Sequence, residues 1–309
     1  MSTLPTTPNP IEFDAIVVGG SYAGLSAAMQ LARARRRVLV LDAGQRRNRY
    51  ATHSHGFLTQ DGTEAAAIAA QGRAQLLAYP TVSWVEGKAV QAVAEGEGFR
   101  ITLADGAALY GRRLVLATGV IDDLPPIAGL AERWGRSAFH CPYCHGYELD
   151  EGAIGVIATG ELAMHHALML PDWGSVTLFL NGAFEPDAAQ LAALASRGVK
   201  LERTPVERIE GVADVMLVDG RRLPMAGLFV MSQMRMASPL AAQLGCAMED
   251  GHAGQFVGTD MMKASSVAGV FCCGDMARAA GNVALAVADG AMAGVGAHRS
   301  LIEAFNQPA

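Results

Sequence analysis

The sequence predicts an α/β fold made of two Rossmann-like dinucleotide-binding domains, the second inserted into the first. Three observations carry that prediction. A strand, glycine turn, helix, strand pattern opens the chain at residues 14–42. The same pattern restarts at residues 153–182. A last apolar strand, VAGVFCCGD, then runs into a long helix close to the C-terminal end. Length agrees, because 309 residues exceed the usual span of one hydrophobic core.

Residues 14–18 (DAIVV) form a short apolar run leading into GGSYAG, followed by helical spacing through Leu25, Ala28, Met29 and Leu31. A second run, VLVLD, closes on Asp42. Residues 62–79 have an amphipathic helical pattern, and strand-like segments follow at Val82–Val85 and Phe99–Leu103, with a turn at Asp105–Gly106. RRLVLATG (112–119) is a buried strand ending in a glycine turn, and Leu124–Pro125–Pro126–Ile127 is a linker. The second unit comprises AIGVIA (153–158), the helix start TGELAMHHALML and the strand SVTLFLNG. A further break falls near Met236–Pro239, and a helix rich in alanine and glycine spans 282–304. The outer domain is therefore 1–122 plus 240–309, with 123–239 inserted.

Composition narrows the function. Hydrophobic residues make up 51% and charged residues 17%, as in a globular protein. A formal net charge of −6 argues against a nucleic-acid surface. The one basic cluster, Arg33–Arg37 with Arg46, Arg47 and Arg49, is local and suits the solvated end of a helix. The first dozen residues lack the positive start and apolar core of a signal peptide. Apolar runs fall short of the ~18 residues a spanning helix needs, so a cytoplasmic protein with no membrane partner is expected. Five cysteines in such a chain do not make a structural disulfide framework, so a close pair reads as catalytic or metal-binding.

The glycine turn is where a dinucleotide pyrophosphate would sit, because glycines let the backbone approach it and the following helix N-terminus stabilises it. Gly19, Gly20 and Gly24 occupy the fingerprint, Ser21 replaces the middle glycine, and Ala23 lies between. Asp42, with Ala43 beside it, is placed to accept a ribose hydroxyl. The inserted unit differs. It offers Ala158-Thr159-Gly160-Glu161-Leu162-Ala163, so the first glycine is missing, and its next strand ends FLNGAFEP without an arginine or lysine. A 2′-phosphate would have no partner there, and Glu161 and Glu185 add negative charge. The expectation is a retained fold with weakened nucleotide affinity; a loose NADH site is the alternative reading.

Residues 139–148 read FHCPYCHGYE. A Cys-x-x-Cys pair at a helix start has a lowered thiol pKa and can close a small disulfide ring. Cys-x-x-Cys-His is also a c-type haem attachment motif, but that chemistry needs export. His140 and His145 could add zinc ligands, yet four ligands within six residues leave poor tetrahedral geometry, and no metal is expected. Cys-Pro-Tyr-Cys occurs in glutaredoxin as well, a much smaller domain without dinucleotide fingerprints. Cys246, Cys272 and Cys273 read as structural, since adjacent cysteines in a strand point to opposite faces. His165 and His166 fall on a helix as surface or core residues.

The order of these motifs resembles the low-molecular-weight thioredoxin reductase family, a two-domain flavoprotein disulfide reductase fold. The resemblance covers nearly all of residues 13–305. It implies FAD as cofactor, with Gly274 and Asp275 at the ribityl chain, Asn282, Val283 and Ala284 at the flavin pyrimidine, and Ala117, Thr118 and Gly119 as a further matching motif. His53 and His55 in THSHGF fall where the family contacts flavin; of these His55 is the cofactor candidate, and Asn48 is counted with it. That family continues Cys-Asp-Gly after its pair; this chain continues Cys144-His145-Gly146-Tyr147-Glu148. With the degraded nucleotide site, this looks like the dithiol oxidases of natural-product pathways that close gliotoxin, holomycin or romidepsin. The resemblance implies a homodimer, a small-molecule dithiol substrate and molecular oxygen as acceptor. It makes Cys141 the thiol facing substrate and Cys144 the thiol nearer the flavin. His145 is then the acid–base group, oriented by Glu148 three residues on along the helix. The rival reading is an NAD(P)H- or ferredoxin-fed thioredoxin reductase running the pair in reverse.

Overall fold

The computed structural model describes residues 13–302, and the sequence reading of the first dozen residues lies outside them. The described residues divide into two compact units: residues 13–47, 66–121 and 235–302 form one, and residues 48–65 and 122–234 the other. Segment 48–65, which the sequence reading kept in the outer domain, thus packs with the inserted unit.

In the first unit, the parallel strands Val82–Glu86, Val38–Asp42, Phe13–Val18 and Ala108–Leu116 lie side by side in that order. Val270–Cys272 pairs in parallel with Ala108–Leu116. The register, Ala15 opposite Val38 and Val18 opposite Leu41, follows from two uninterrupted apolar runs buried on both faces. An antiparallel hairpin, Ala89–Glu95 with Gly98–Leu103, extends the sheet; the spacing had shown only its second strand. The helix Tyr22–Arg33 ends with Arg33 in its last turn, so one arginine of the basic cluster sits where the helix dipole favours a cation. The C-terminal helix runs Val283–Ser300, and small residues let it approach the first helix closely: a Cβ at Gly290 would lie 2.0 Å from the Ala23 carbonyl oxygen.

In the second unit, five parallel strands are ordered Ala138–Phe139, Gly227–Val230, Glu151–Ile157, Gly174–Phe179, Lys200–Glu202. A three-stranded antiparallel layer, Val206–Glu210, Asp214–Leu217 and Arg222–Leu223, flanks it. The proline stretch is more than a spacer, because Leu124 and Ile127 pack on the core formed by Leu130, Trp134 and Val215.

Candidate functional site

The first unit carries a cradle at the end of strand Phe13–Val18. Gly19 has φ +107°, and a Cβ there would lie 2.3 Å from the Ala117 carbonyl oxygen. A Cβ at Gly24 would lie 1.7 Å from the Gly19 carbonyl oxygen, so the turn closes only with glycine at both positions. Ser21 is the N-cap of helix Tyr22–Arg33 but makes no side-chain capping bond, and no acidic residue occupies the first turn. The helix therefore offers uncapped N–H groups and its positive end to an anion. The Gly20 N–H donates to Asp42 Oδ1 at 3.2 Å, which aims the carboxylate across the turn. Ala43, next along, is exposed.

Three further segments of this unit carry the other residues expected at the cofactor. Thr118 donates to Met276 Sδ at 3.3 Å, tying the Ala117–Gly119 turn to the segment after strand Val270–Cys272. Gly274 has φ +73° and would press a Cβ onto Ala23 at 2.9 Å. Asp275 receives a 3.0 Å ion pair from Arg47. Asn282 caps the C-terminal helix by accepting from the Leu285 N–H at 2.8 Å, so that helix starts at Val283 and Ala284. A glycine turn, a helix start without a side-chain cap, a carboxylate held across the turn and a second carboxylate beside an arginine fit an FAD cofactor. The Arg47–Asp275 pair was not legible in the chain, where 228 residues separate its members. Asp275→Ala is expected to weaken FAD retention by about 1.5–3 kcal/mol, one charge-assisted partner lost. Flavin-to-protein ratio and reconstitution affinity check it; unchanged values would remove Asp275 from the cofactor set.

In the second unit, Cys141 and Cys144 are joined as a disulfide with Cα atoms 5.3 Å apart. The local structure differs from expectation. The helix after Cys141 is a single turn, Pro142–His145, and the chain passes through Gly146 into a 3-10 turn, Tyr147–Leu149. No full helix stands behind the pair, so little helix dipole acts on it. Gly146 is held in a close fit, where a Cβ would lie 2.7 Å from the Pro142 carbonyl oxygen and 2.9 Å from the Trp173 ring.

Breaking the helix after His145 redirects Glu148. Its Oε1 lies 3.1 Å from His55 Nδ1, so the carboxylate orients His55 and the expected orientation of His145 is corrected. His55, expected at the flavin, is placed within this unit against Glu148, with its ring centroid 6.5 Å from that of His145. His145 stacks on Phe139 with centroids 4.2 Å apart. Burial, and after it the charge of His55, pushes the His145 imidazole down to about 4. Asn48 lies in a short turn, Arg47–Tyr50, ahead of His55. The site therefore gathers a disulfide, a neutral imidazole and an imidazole–carboxylate pair. The signal for His55 in the chain was only its neighbourhood in THSHGF; its partner is set by the fold.

The remaining cysteines are free and buried. Cys272 faces the core that includes Leu114 and Cys246, and Cys273 faces the opposite core with Val17 and Ala293, the alternation expected of a strand. Among the described residues, no cluster of His, Cys, Asp and Glu could hold a metal, and no helix is long and apolar enough to cross a membrane.

The loop that carries the degraded fingerprint of the inserted unit is bridged by side chains. Gln190 donates to Glu161 at 2.6 Å, and Asp187 and Gln190 form a reciprocal cap on helix Ala188–Ser196. The structure also brings in a cation that the strand ending FLNGAFEP lacks: Arg203, from the neighbouring strand's end, forms an ion pair with Glu185.

Comparison with known proteins places these features in context. The profile of the pyridine nucleotide-disulphide oxidoreductases matches residues 13–293. The chain is 33% identical to thioredoxin reductase sirT of Leptosphaeria maculans over 93% of its length and 94% of the relative's. Its fold matches the crystal structure of an oxidoreductase from Agrobacterium tumefaciens with a TM-score of 0.92 and 56% identity, over 94% of this chain and 99% of the other. It matches the crystal structure of HlmI with a TM-score of 0.89 and 35% identity, over 96% of this chain and 95% of the other.

Proposed function

The chain belongs to the pyridine nucleotide-disulphide oxidoreductase family, and from that premise we propose that this FAD-dependent oxidoreductase closes a disulfide in a small-molecule, natural-product dithiol. Cys141 and Cys144 carry out the exchange, and O₂ is the final acceptor, released as hydrogen peroxide. The observation that carries the reading is the closed Cys141–Cys144 pair in a unit that also holds His145 and the His55–Glu148 pair. A disulfide oxidises a dithiol only if protons are removed from two thiols, and this unit has groups that take them. Bound FAD would supply the two-electron acceptor that returns the pair to the disulfide. The reading extends to a cytoplasmic homodimer, the habit of the thioredoxin reductase family.

A substrate thiolate attacks Cys141 Sγ; the Cys141–Cys144 bond breaks and its electron pair stays on Cys144 Sγ. The second substrate thiol, deprotonated, then attacks the substrate sulfur of the mixed disulfide, and Cys141 leaves as a thiolate. His145 follows Cys144 directly and is neutral at working pH, because its ordinary value of 6.5 is depressed to about 4. In this neutral form it accepts the proton of each substrate thiol as that thiol attacks. The Glu148 side chain, 3.1 Å from His55 Nδ1, fixes the orientation of the His55 ring.

His145→Ala is expected to fold and hold FAD normally while turning over dithiols roughly 10²-fold more slowly at neutral pH, the lower range for a positioned acid–base group. The sign of the pH effect follows from the substrate. As pH rises, more substrate thiol is ionised without help, so the deficit narrows. The native enzyme has no acid limb from His145 until pH approaches about 4, where the ring is protonated. Oxygen uptake with a small dithiol across pH reads both effects; a pH-independent defect would take the role away from His145.

A further inference from the structure

Asp289 is a carboxylate buried in the first unit, outside the set of residues expected to touch the cofactor. It lies in the second turn of helix Val283–Ser300 and is 4% exposed. Each of its oxygens meets a cation: Lys263 Nζ lies 2.9 Å from Oδ1, and Arg278 Nε lies 3.0 Å from Oδ2. Both cations are largely buried as well. Arg278 Nε and Asp289 Oδ2 complete no hydrogen bond, so that contact is one of charge. Burying three charges gains little stability, because the desolvation of each offsets their attraction, and apolar side chains of the same volume would hold a core about as well. What the cluster supplies is direction, since the carboxylate fixes where two other segments lie.

Those two segments flank the strand that leads to the cofactor. Lys263 belongs to the turn 260–264, and its carbonyl accepts from the Cys272 N–H at 2.9 Å, at the end of strand Val270–Cys272. Its φ is +64°, a left-handed conformation that glycine or asparagine adopts more easily. The turn holds a lysine although its backbone disfavours one, and the ion pair with Asp289 is what that side chain gains. Arg278 is the extended C-cap of the 3-10 turn Gly274–Ala277 and opens the stretch 278–282, which lies outside every helix and strand. That stretch folds back on Asp275: a Cβ at Gly281 would lie 2.2 Å from Asp275 Oδ1. It then reaches Asn282, the cap of the C-terminal helix. Asp289 therefore grips the chain between Asp275 and Asn282, the two residues of this segment expected at the flavin.

We propose that Asp289 is a positioning residue of the FAD site, which acts through Arg278 to hold the loop between Asp275 and Asn282 and through Lys263 to hold the strand that leads into it. This rests on Asp275 and Asn282 lying at the cofactor, but not on the direction of the disulfide chemistry or on oxygen as acceptor.

The test is release of FAD from the loaded protein, followed as the rise in flavin fluorescence after dilution, with circular dichroism at the same temperature to show an intact fold. Arg278→Met keeps an unbranched stem and removes the cation; release is expected about tenfold faster, the low end of what one charge-assisted contact is worth. Arg278→Lys returns a cation at similar reach to a contact that is a single ion pair, and is expected within about twofold of the native rate. Loss of packing would not separate these two variants, since both keep the stem. Asp289→Asn keeps the shape and removes the charge, and is expected to release FAD at least tenfold faster. The double variant Arg278→Met, Asp289→Asn is expected to match Asp289→Asn alone, because both changes break the same pair. Native release in Arg278→Met, equal acceleration in Arg278→Met and Arg278→Lys, or effects that multiply in the double variant would each overturn the proposal. If Asp289→Asn does not fold, the comparison of Arg278→Met with Arg278→Lys decides. Asp275→Ala tests the premise separately: native release there would take Asp275 out of the cofactor set. Fast release in Asp275→Ala with native release in Arg278→Met would count against the role of Asp289 alone.

Discussion

Cys141→Ser and Cys144→Ser should each abolish dithiol turnover, with different products left on the protein. The closed Cys141–Cys144 pair is the only disulfide among the described residues, and the three other cysteines are buried in the core of the first unit. None of those three can substitute without core rearrangement. With Cys144 replaced, a substrate thiol can still attach at Cys141, once the single thiol is oxidised or offered an activated disulfide, and the adduct accumulates. With Cys141 replaced, the sulfur assigned to substrate is gone. Mass spectrometry after quenching with acid reads the adduct, and oxygen uptake reads turnover. A serine enzyme with native turnover would end the disulfide mechanism. Adducts on the wrong cysteine would exchange the two roles and leave the mechanism standing.

Dithiols, and neither NADPH nor NADH, should reduce the bound flavin at a useful rate. Ala158 stands where the fingerprint wants its first glycine, and Glu161 is held by Gln190 across the loop. The nearby Arg203 is already paired with Glu185, so a 2′-phosphate would have to displace a carboxylate to gain a cation. Each charge-assisted contact forgone is about 1.5–3 kcal/mol, on the order of 10- to 100-fold in affinity. Anaerobic mixing with micromolar nucleotide, compared with a small dithiol, reads the loss of the oxidised flavin absorbance. Rapid bleaching by NADPH would move the assignment to a reductase that runs the same pair in the opposite direction.

The parts of this molecule legible before folding are those whose chemistry is written in near neighbours. Gly19 with its positive φ and Gly24 against the Gly19 carbonyl had to be glycines for reasons a short turn imposes, and Cys141 and Cys144 are brought within disulfide reach by a single turn of backbone. Strands such as Phe13–Val18 and Val38–Asp42 announced themselves because a parallel strand buried on both faces is an unbroken apolar run. The three-stranded layer at residues 206–223 was missed, since its short strands mix charged and apolar residues.

Glu148 shows where that legibility stops. Spacing along an assumed helix put it on His145, but the helix ends at His145, and a 3-10 turn carries the carboxylate to His55 instead. Arg47 was read as part of a solvated basic cluster and is the partner of Asp275. Periodicity and short spacings act through the covalent chain, so they survive in one dimension and make the fold class, the glycine turn and the close cysteine pair legible. The partner of a charged or imidazole side chain depends on which distant segments pack together and where a helix happens to stop, and only the folded structure contains those distances.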